Sequence, residues 1–308
     1  MNNISLSFFF LIIFIIVIYL FYVLNYDIFD EERLLKLTNL FHSSNLPISN
    51  KFQNQIWIND MNKNGAIVIP NILSPSDCHK ILKIIATEKK NSNLFTDNIR
   101  SNENREYFML PLEKTLPFVK KIYIKLKHFC DTLLPDPTLL ETSSFTTFKG
   151  AVQQRFHNDG DIPNPNDNAF TFGIALDDFT EDMGPLEYYA KSHKKTEDEL
   201  LSISKKYNLP DDTYNSDDEA NDDLSDGYKY NIFEEACKKI NLPKIKCTCK
   251  KGDLTIWSWK VFHRGGENTN KKRPMFYFSL KNNKLTWNDD DVKHTLKKKN
   301  NLTYIVSS

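Results

Sequence analysis

The sequence predicts a mainly β fold with flanking helices (an α+β class) behind one N-terminal transmembrane helix. Three observations predict it: an apolar run at the start, apolar residues at helical spacing before residue 135, and short β-type segments after residue 142. The 308 residues are enough for one large domain. Lysine plus arginine equals aspartate plus glutamate at 40 each, so no basic excess indicates a nucleic-acid partner.

The N-terminal segment, residues 1–26, differs in composition from the rest of the chain. Every residue from Phe8 to Leu24 is apolar or Tyr, and about 20 residues at about 1.5 Å each cross a bilayer core of about 30 Å. A cleaved signal peptide is the alternative. No Lys or Arg precedes the run and no small-x-small cleavage site follows it, which favours an uncleaved single-pass membrane anchor.

The orientation of this anchor rests on few residues. Arg33 and Lys36 follow the apolar run, and by the positive-inside rule they favour a cytosolic main domain. A single anchor ahead of a folded domain also suits the opposite placement, and we expect a lumenal rather than a cytosolic domain. The five cysteines do not decide the compartment, since an odd count leaves at least one thiol free even where disulfides form.

After the anchor, residues 27–56 are predicted to form a stem or connector, and residues 57–308 the main domain. The apolar run Gly65–Pro70 lies between turn formers and predicts a strand. Ser74 to Asp77 has the composition of a helix N-terminus with proline in the first turn. A second helix is predicted from Leu116 to Leu133.

From Thr142 onward, short apolar segments alternate with Gly, Pro and Asp turns, which predicts an antiparallel sandwich or open barrel. Cys247 and Cys249 fit one side of such a strand better than a zinc site, because no second cysteine pair accompanies them. The predicted strands are Ser144–Phe148, Val152–Phe156, Phe170–Leu176, Leu186–Tyr189, Ile245–Cys249, Leu254–Trp257 and Met275–Leu280.

An acidic insertion, residues 194–227 or thereabouts, interrupts this pattern of strands. Eleven acidic residues and two lysines stand between Glu197 and Asp226. This composition predicts a solvated, partly disordered segment. The alternative is a lid or a docking strip for a basic substrate.

The pattern His157-Asn158-Asp159 places an imidazole and a carboxylate two residues apart. On a strand, residues i and i+2 face the same side, so both side chains can reach one metal. His263 follows another predicted strand, and two histidines with one carboxylate are typical of non-haem Fe(II) oxygenases. Ten residues later comes Arg273, whose planar guanidinium suits the distal carboxylate of a dicarboxylic cosubstrate.

These motifs and several others stand in one order along the chain and together resemble the phytanoyl-CoA dioxygenase family of Fe(II)/2-oxoglutarate-dependent oxygenases. The resemblance covers roughly residues 64–280. The motifs that carry it are Gly65-Ala-Ile-Val-Ile-Pro-Asn-Ile-Leu-Ser74, His157-Asn-Asp159, Thr171-Phe-Gly-Ile-Ala-Leu-Asp-Asp178, Gly184-Pro-Leu-Glu187, Lys191-Ser-His193 and His263-Arg-Gly-Gly-Glu-Asn268, with Arg273.

The resemblance implies a double-stranded β-helix core, also called a jelly roll or cupin-like fold. Carried over residue by residue, it implies that His157, Asp159 and His263 bind Fe(II) and that Arg273 anchors 2-oxoglutarate. Oxygen is the co-reactant in this family, and ascorbate is expected to serve as a reductant. His193, in the turn after the metal strand, is expected to be structural.

Further residues near the site follow from strand alternation and the same resemblance. Gln154 is expected beside the cosubstrate, with Gln153 as the alternative because only one of the two can face inward. Thr171 is expected to bind the cosubstrate or line the cavity, and Trp257 and Tyr277 also line the cavity in this prediction. The chain departs from the family pattern at two places. Gly265 stands where many relatives have Ser or Thr, and the acidic insertion separates the two halves of the metal site.

The function expected from these residues is hydroxylation of a small molecule or lipid, with release of succinate and CO2. A carboxylate at position 159 favours hydroxylation over halogenation, which the same fold performs with a small residue there. One alternative is a peptidyl lysine or proline hydroxylase of the secretory pathway, acting on a peptidyl substrate. The other is an inactive jelly-roll binding module held at a membrane.

Overall fold

The computed structural model describes residues 48–90, 100–102, 104–135, 137–160, 162, 167–209 and 232–282. The predicted anchor, residues 1–26, lies outside these residues, as does most of the acidic insertion. Across the described ranges, no helix combines the length and the apolar character that crossing a membrane requires.

The described residues form α-helices and antiparallel strands in a mixed order along the chain. The helices are α1 (Ile48–Asn64), α2 (Pro75–Lys90), α3 (Leu112–Lys125), α4 (Lys127–Leu133), α5 (Glu197–Lys206) and α6 (Ile232–Lys239), with a short 3-10 turn at Ser192–Lys194. The strands are β1 (Ala66–Ile69), β2 (Arg100–Asn102), β3 (Arg105–Met109), β4 (Pro137–Thr147), β5 (Ala169–Ala175), β6 (Leu186–Tyr189), β7 (Lys244–Lys246), β8 (Leu254–Ser258), β9 (His263–Gly265) and β10 (Arg273–Asn282).

Two antiparallel sheets make up the β part of the molecule, as expected for a jelly-roll-like fold. The large sheet has seven strands in the order β1-β8-β5-β10-β4-β3-β2, and the small sheet has three in the order β7-β6-β9. Strands distant in sequence are neighbours in both sheets. The mainly β architecture with flanking helices is therefore confirmed.

One face of the large sheet packs against the helices that precede it. Phe172 of β5 and Phe278 of β10 stack with ring centroids 4.8 Å apart, and Phe129 of α4 packs on Phe170 at 6.2 Å. Ile81 of α2 is fully buried in the same cluster. Burial of each such side chain contributes about 1.5–3 kcal/mol, so this layer supplies much of the stability of the fold.

The opposite face, here called the inner face, is turned towards the small sheet. Along β10, Phe276 and Phe278 are buried against the helices, whereas Met275 and Tyr277 point the other way and stay partly exposed. Trp257 of β8 packs with Tyr188 of β6 across the gap between the sheets. Partly exposed side chains in the middle of a sheet indicate that the inner face borders an open cavity.

The helices depart from the sequence prediction at their ends. The predicted helix Leu116–Leu133 is two helices, because Leu126 leaves helical geometry at φ −107° and ψ 14°. The turn at this residue brings Phe129 onto the sheet while Leu126 itself stays fully buried. In addition, α1 begins before residue 57, so the expected start of the main domain falls inside a helix.

The predicted strand Val152–Phe156 is wrong. This segment contacts the β9 region through isolated bridges, Ala151 with Asn268 and His157 with His263. Ala151 and His157 are six residues apart, whereas their partners Asn268 and His263 are five apart. One extra residue on the first segment therefore breaks the ladder, as in a β-bulge. The other predicted strands overlap real ones, although β7 ends at Lys246 and Cys249 pairs separately with Phe179.

The first part of the acidic insertion forms an ordered helix whose acidic residues are exposed, as expected of a solvated surface. Thr196 and Glu199 form a capping box at the start of α5. The acidic residues of the first turn interact favourably with the positive end of the helix dipole. Leu200 is fully buried in a cluster with Cys237 and Phe262. An apolar face therefore holds α5 on the domain, while residues 210–231 lie outside the described part of the chain.

All five cysteines are buried as free thiols, so the described structure contains no disulfide among them.

Candidate metal centre

Three side chains from two parts of the chain meet at one end of the small sheet. His157, Asp159 and His263 each offer a ligand atom, and these atoms lie within 4.8 Å of one another. Oδ1 of Asp159 is 4.0 Å from Nε2 of His157 and 3.4 Å from Nε2 of His263. Ligands at about 2.1 Å from a common ion are about 3 Å apart at right angles, so the three atoms fit one first-row metal ion.

The histidines are placed by a short antiparallel contact. His157 N–H donates to the His263 carbonyl at 3.0 Å, and His263 N–H donates to the His157 carbonyl at 2.9 Å. The two imidazoles consequently lie side by side, with ring centroids 4.6 Å apart. Asp159 follows at a bend, where its N–H donates to the Trp259 carbonyl at 3.0 Å. The expectation that His157 and Asp159 share a regular strand is therefore wrong, because His157 makes only an isolated bridge and Asp159 stands at a bend.

Backbone carbonyls fix the tautomer of both histidines. Nδ1 of His157 lies 2.9 Å from the Arg155 carbonyl, and Nδ1 of His263 lies 2.9 Å from the Val261 carbonyl. A carbonyl oxygen can only accept, so each Nδ1 carries the proton and each Nε2 presents its lone pair. Both Nε2 atoms face Asp159, which is the arrangement that a shared metal ion requires.

The two oxygens of Asp159 have separate partners. Trp257 Nε1–H donates to Oδ2 at 2.8 Å, which leaves Oδ1 towards the histidines. Burial tends to raise the pKa of this carboxyl, but His263 and the hydrogen bonds outweigh burial and hold it below its ordinary value. Burial likewise tends to lower the pKa of His263, and the Asp159 carboxylate more than offsets it. The carboxyl is thus anionic near neutral pH, which is the charge state that a metal ligand requires.

Arg273 begins β10 and points along the inner face. Its side chain is almost fully buried, and Nη2–H donates to Thr147 Oγ1 at 3.0 Å. Its Nε–H has no hydrogen-bond partner, and no carboxylate of a described residue lies within ion-pair distance. Burial and the neighbouring Arg105 lower its pKa to about 10, so it remains a cation at neutral pH. A buried cation without a counter-ion is costly, and an anionic cosubstrate would offset that cost.

Comparison with known proteins agrees with this geometry. The model of the family described as phytanoyl-CoA dioxygenase (PhyH) matches residues 61–275. The chain belongs to the PhyH family. It is accordingly an enzyme that depends on Fe(II) and 2-oxoglutarate, and the metal and cosubstrate fit the residues described above. No curated protein sequence matches the chain.

Solved structures share the fold of this PhyH chain at low sequence identity. SnoK, a non-heme alpha-ketoglutarate-dependent carbocyclase of nogalamycin biosynthesis, aligns with a TM-score of 0.55 and 13% identity over 83% of this chain and 92% of its own. The epimerase SnoN of the same biosynthesis aligns at 0.51 and 12%, covering 75% and 83%. AviO1 from Streptomyces viridochromogenes Tue57 aligns at 0.50 and 14%, covering 79% and 98%.

The departure from the PhyH pattern at Gly265 has a structural counterpart in Gln154. Gly265 N–H donates to Gln154 Oε1 at 2.8 Å. A Cβ added at Gly265 would lie 2.7 Å from that oxygen, so the glutamine amide fills the space of a side chain at position 265. Gln153 is exposed and Gln154 is partly buried, so Gln154 is the one that faces inward.

Thr171 lies on the inner face, opposite Trp257 in the register of β5 and β8. Its hydroxyl accepts from Trp259 Nε1 at 2.9 Å and shares a hydrogen with Ser279 Oγ at 3.2 Å. The side chain is therefore part of a hydrogen-bonded network within the sheet. Its role in binding the cosubstrate stays a prediction.

Arg105 is a residue of the site that the sequence prediction missed. It faces Thr147 of β4 from β3, and Arg273 faces the same Thr147 from β10, so the two arginines flank one threonine. Arg105 Nη2–H donates to the carbonyls of Val152 and, at 3.3 Å, of Gly266. It thereby fixes the backbone on both sides of the bridge region. The signal was weak, because only the strand register connects residue 105 with the motif residues.

His193, expected to be structural, lies against the backbone of α1. Its Nε2 is 3.3 Å from the Asn62 carbonyl, and a Cβ at Gly65 would lie 2.4 Å from its Nδ1. Burial lowers its pKa to about 4, so it is neutral near pH 7.

Proposed function

We propose that this PhyH chain hydroxylates a small molecule or lipid, with His157, Asp159 and His263 holding Fe(II) and Arg273 holding the distal carboxylate of 2-oxoglutarate. The observation that carries the proposal is a three-ligand face with tautomers already fixed, on the same inner face as a buried arginine without a described counter-ion. When bound, iron and 2-oxoglutarate supply the oxidising chemistry, with succinate and CO2 as coproducts.

The chain's own residues contribute binding, orientation and charge. Nε2 of each histidine donates a lone pair, and Asp159 adds one negative charge, which lowers the net charge of the site. Trp257 holds the second oxygen of Asp159 and keeps the first directed at the metal position. Arg273 pairs with a carboxylate through its planar donor fork, for which Thr147 sets the orientation.

The substrate part of the proposal rests on the cavity and on the neighbouring structures. Met275, Tyr277 and Phe145 on the inner face remain partly exposed, so the cavity offers apolar and aromatic surface. SnoN has been crystallised with Fe3+, alpha ketoglutarate and nogalamycin RO, a small-molecule ligand on a similar fold. A small molecule in this cavity is the reading that these observations favour over a peptidyl substrate.

The enzyme is further proposed to be held at a membrane by residues 1–26, with the main domain in the lumen. The support is the composition of Phe8–Leu24 alone. Alkaline carbonate extraction of cell membranes tests the anchor, since an integral protein stays in the pellet. Asn301-Leu302-Thr303 is an N-glycosylation sequon, so a glycosidase-sensitive mass shift that disappears in Asn301→Gln tests the lumenal placement. A protein released by carbonate, or one without glycan at this sequon, would contradict the respective part.

The activity is tested with the full-length protein, Fe(II), ascorbate and 2-oxoglutarate, by measuring succinate. We expect succinate formation in the wild type and its loss in His157→Ala and in Arg273→Ala. His79→Ala, which changes an exposed histidine of α2, is the matched control and should keep the activity. Binding of Fe(II) and 2-oxoglutarate is measured in parallel. A folded protein that binds neither would contradict the proposal and leave the membrane-held binding module.

A further inference from the structure

The inner face of the large sheet has two polar ends. Arg273 and Ser279 lie on the same side of β10, six residues or about 20 Å apart at about 3.3 Å per residue. Ser279 stands in register with Thr171 of β5 on one side and with Glu141 of β4 on the other. If Arg273 holds the cosubstrate, as proposed above, the end that carries Glu141 is left for another ligand.

Glu141 is a carboxyl group that has hydroxyl partners but no cationic partner among the described residues. Its Oε2 accepts hydrogen bonds from Tyr107 Oη at 2.8 Å and Ser143 Oγ at 3.0 Å, and Oε1 accepts from Ser279 Oγ at 3.2 Å. No Lys, Arg or His among the described residues forms an ion pair with it. The side chain is nevertheless partly exposed, so its surface opens to the cavity.

Glu141 is set deep in the sheet although it borders the cavity. Burial raises the pKa of its carboxyl, against the hydrogen bonds from the hydroxyl groups, and the charge of Asp159 raises it further. Because the charge of Asp159 acts on Glu141, the two carboxyl groups lie on the same side of the sheet. The charged form of Glu141 is therefore incompletely compensated in the described structure, and a ligand with a positive charge would stabilise it.

Aromatic rings stand next to this carboxyl group. Tyr107 and Tyr277 stack with ring centroids 5.8 Å apart and planes 27° from parallel. Both side chains are partly exposed on the inner face. A carboxylate beside aromatic faces is a combination that binds ammonium groups, through charge-assisted hydrogen bonds and cation–π attraction.

We propose that Glu141, Tyr107 and Tyr277 form a subsite, here called the ammonium subsite, that binds a protonated amine of the substrate. This inference rests on the proposed function only in calling the bound amine a substrate. The subsite itself is defined by the three side chains. A neutral hydroxyl is the weaker candidate, since it donates a hydrogen bond but brings no charge to the carboxylate. The substrate class is therefore an amine-bearing small molecule, held at the end of the cavity opposite Arg273.

The test compares two probes of similar size, n-butylammonium and 1-butanol, by saturation-transfer NMR on the full-length protein. We expect the wild type to bind the amine about tenfold more tightly than the alcohol. Glu141→Gln, which keeps the shape and removes the charge, should abolish this preference. Glu181→Gln, at a side chain that is 75% exposed, is the matched control and should keep it.

Tyr277→Leu is a second variant that leaves the carboxylate in place. It should reduce amine affinity about three- to tenfold through loss of the aromatic face. Equal binding of both probes by the wild type, or an unchanged preference in folded Glu141→Gln, would overturn the inference. If Glu141→Gln does not fold, an unchanged amine affinity in Tyr277→Leu overturns it instead.

The same samples are titrated with Zn(II), as a redox-inactive ion, and with 2-oxoglutarate. Binding of both without an amine preference would leave the proposed function and remove the ammonium subsite. An amine preference without metal or 2-oxoglutarate binding would support the ammonium subsite and contradict the proposed function.

Discussion

Trp257 donates its indole hydrogen to Oδ2 of Asp159 at 2.8 Å, and this contact decides which carboxylate oxygen faces the two histidines. Without it, the carboxyl group at the bend could rotate and present either oxygen or neither. Trp257 is itself held in β8, between β1 and β5. The large sheet thus orients a ligand that the chain supplies from outside any strand.

Trp257→Phe should weaken metal binding about 10- to 100-fold, the usual effect of losing a partner of a metal ligand. Phenylalanine keeps an aromatic ring but is smaller than the indole and cannot donate the hydrogen bond, and the matched control loses the same volume. Co(II) titration followed by its visible absorption measures the effect. Trp259→Phe is the matched control, because its indole donates to Thr171 and not to Asp159. Equal metal affinities in the two variants would contradict the orienting role.

Arg273→Lys should weaken 2-oxoglutarate binding about 10- to 100-fold, because a point charge replaces the two-donor fork. Equilibrium binding of 2-oxoglutarate to the Zn(II)-loaded protein gives the affinity. Arg264→Lys is the control, since this arginine pairs with Glu187 at 2.9 Å away from the inner face. An Arg273→Lys protein with wild-type affinity would exclude the proposed anchor.

Gly265→Ser should lower the free energy of unfolding by about 1 kcal/mol, because its Cβ would approach Gln154 Oε1 to 2.7 Å and the amide would have to leave its hydrogen bond with Gly265 N–H. Gln154→Ala removes the obstacle, so the double variant should be more stable than the sum of the single changes predicts. Urea denaturation of all four proteins measures this coupling. Strictly additive effects would show that the glutamine does not occupy the space.

Asp77→Asn should lower the free energy of unfolding at neutral pH by about 1 kcal/mol, and the difference should vanish near pH 2. Lys121 at 2.5 Å and the Ser74 hydrogen bonds lower the pKa of Asp77 from 3.8 to about 2. A lowered pKa contributes stability above the unfolded value, and that contribution is lost as the pH falls from 3.8 to about 2.

Solvent screening limits this effect, because Lys121 keeps 45% of its side chain exposed. Urea denaturation at pH 7 and at pH 2 provides the measurement. A difference that persists unchanged at the lower pH would assign it to the helix cap and not to the charge.

The sequence was sufficient for the family and for the order of the strands that carry its motifs. Residue type and order identified His157, Asp159 and His263. The structure brings the three side chains together even though the predicted local strand does not form. The extra residue between Ala151 and His157 produced the error, because alternation in sequence does not reveal a bulge in a ladder with a distant partner.

The residues that escaped prediction act through the register of the large sheet. Arg105 reaches the site because β3, β4 and β10 are neighbours, and Glu141 does so because β4 pairs with β10. Neither belongs to a motif, and strand order between distant segments is not encoded in local spacing. Leu126 shows the same limit for helices, since its apolar character fits an uninterrupted helix equally well.

Both candidate histidine ligands donate their Nδ1 hydrogens to carbonyls two residues earlier in the chain, so hydrogen bonds of the protein itself orient the face they form with Asp159. A rigid face of two imidazoles and one carboxylate does not distinguish first-row divalent ions by shape. Affinity then follows the Irving–Williams order, in which Ni(II), Cu(II) and Zn(II) bind more tightly than Fe(II). If these residues hold Fe(II) as proposed, its occupancy depends on the metals that the compartment makes available, and zinc or copper bound in its place is expected to abolish activity without unfolding the protein.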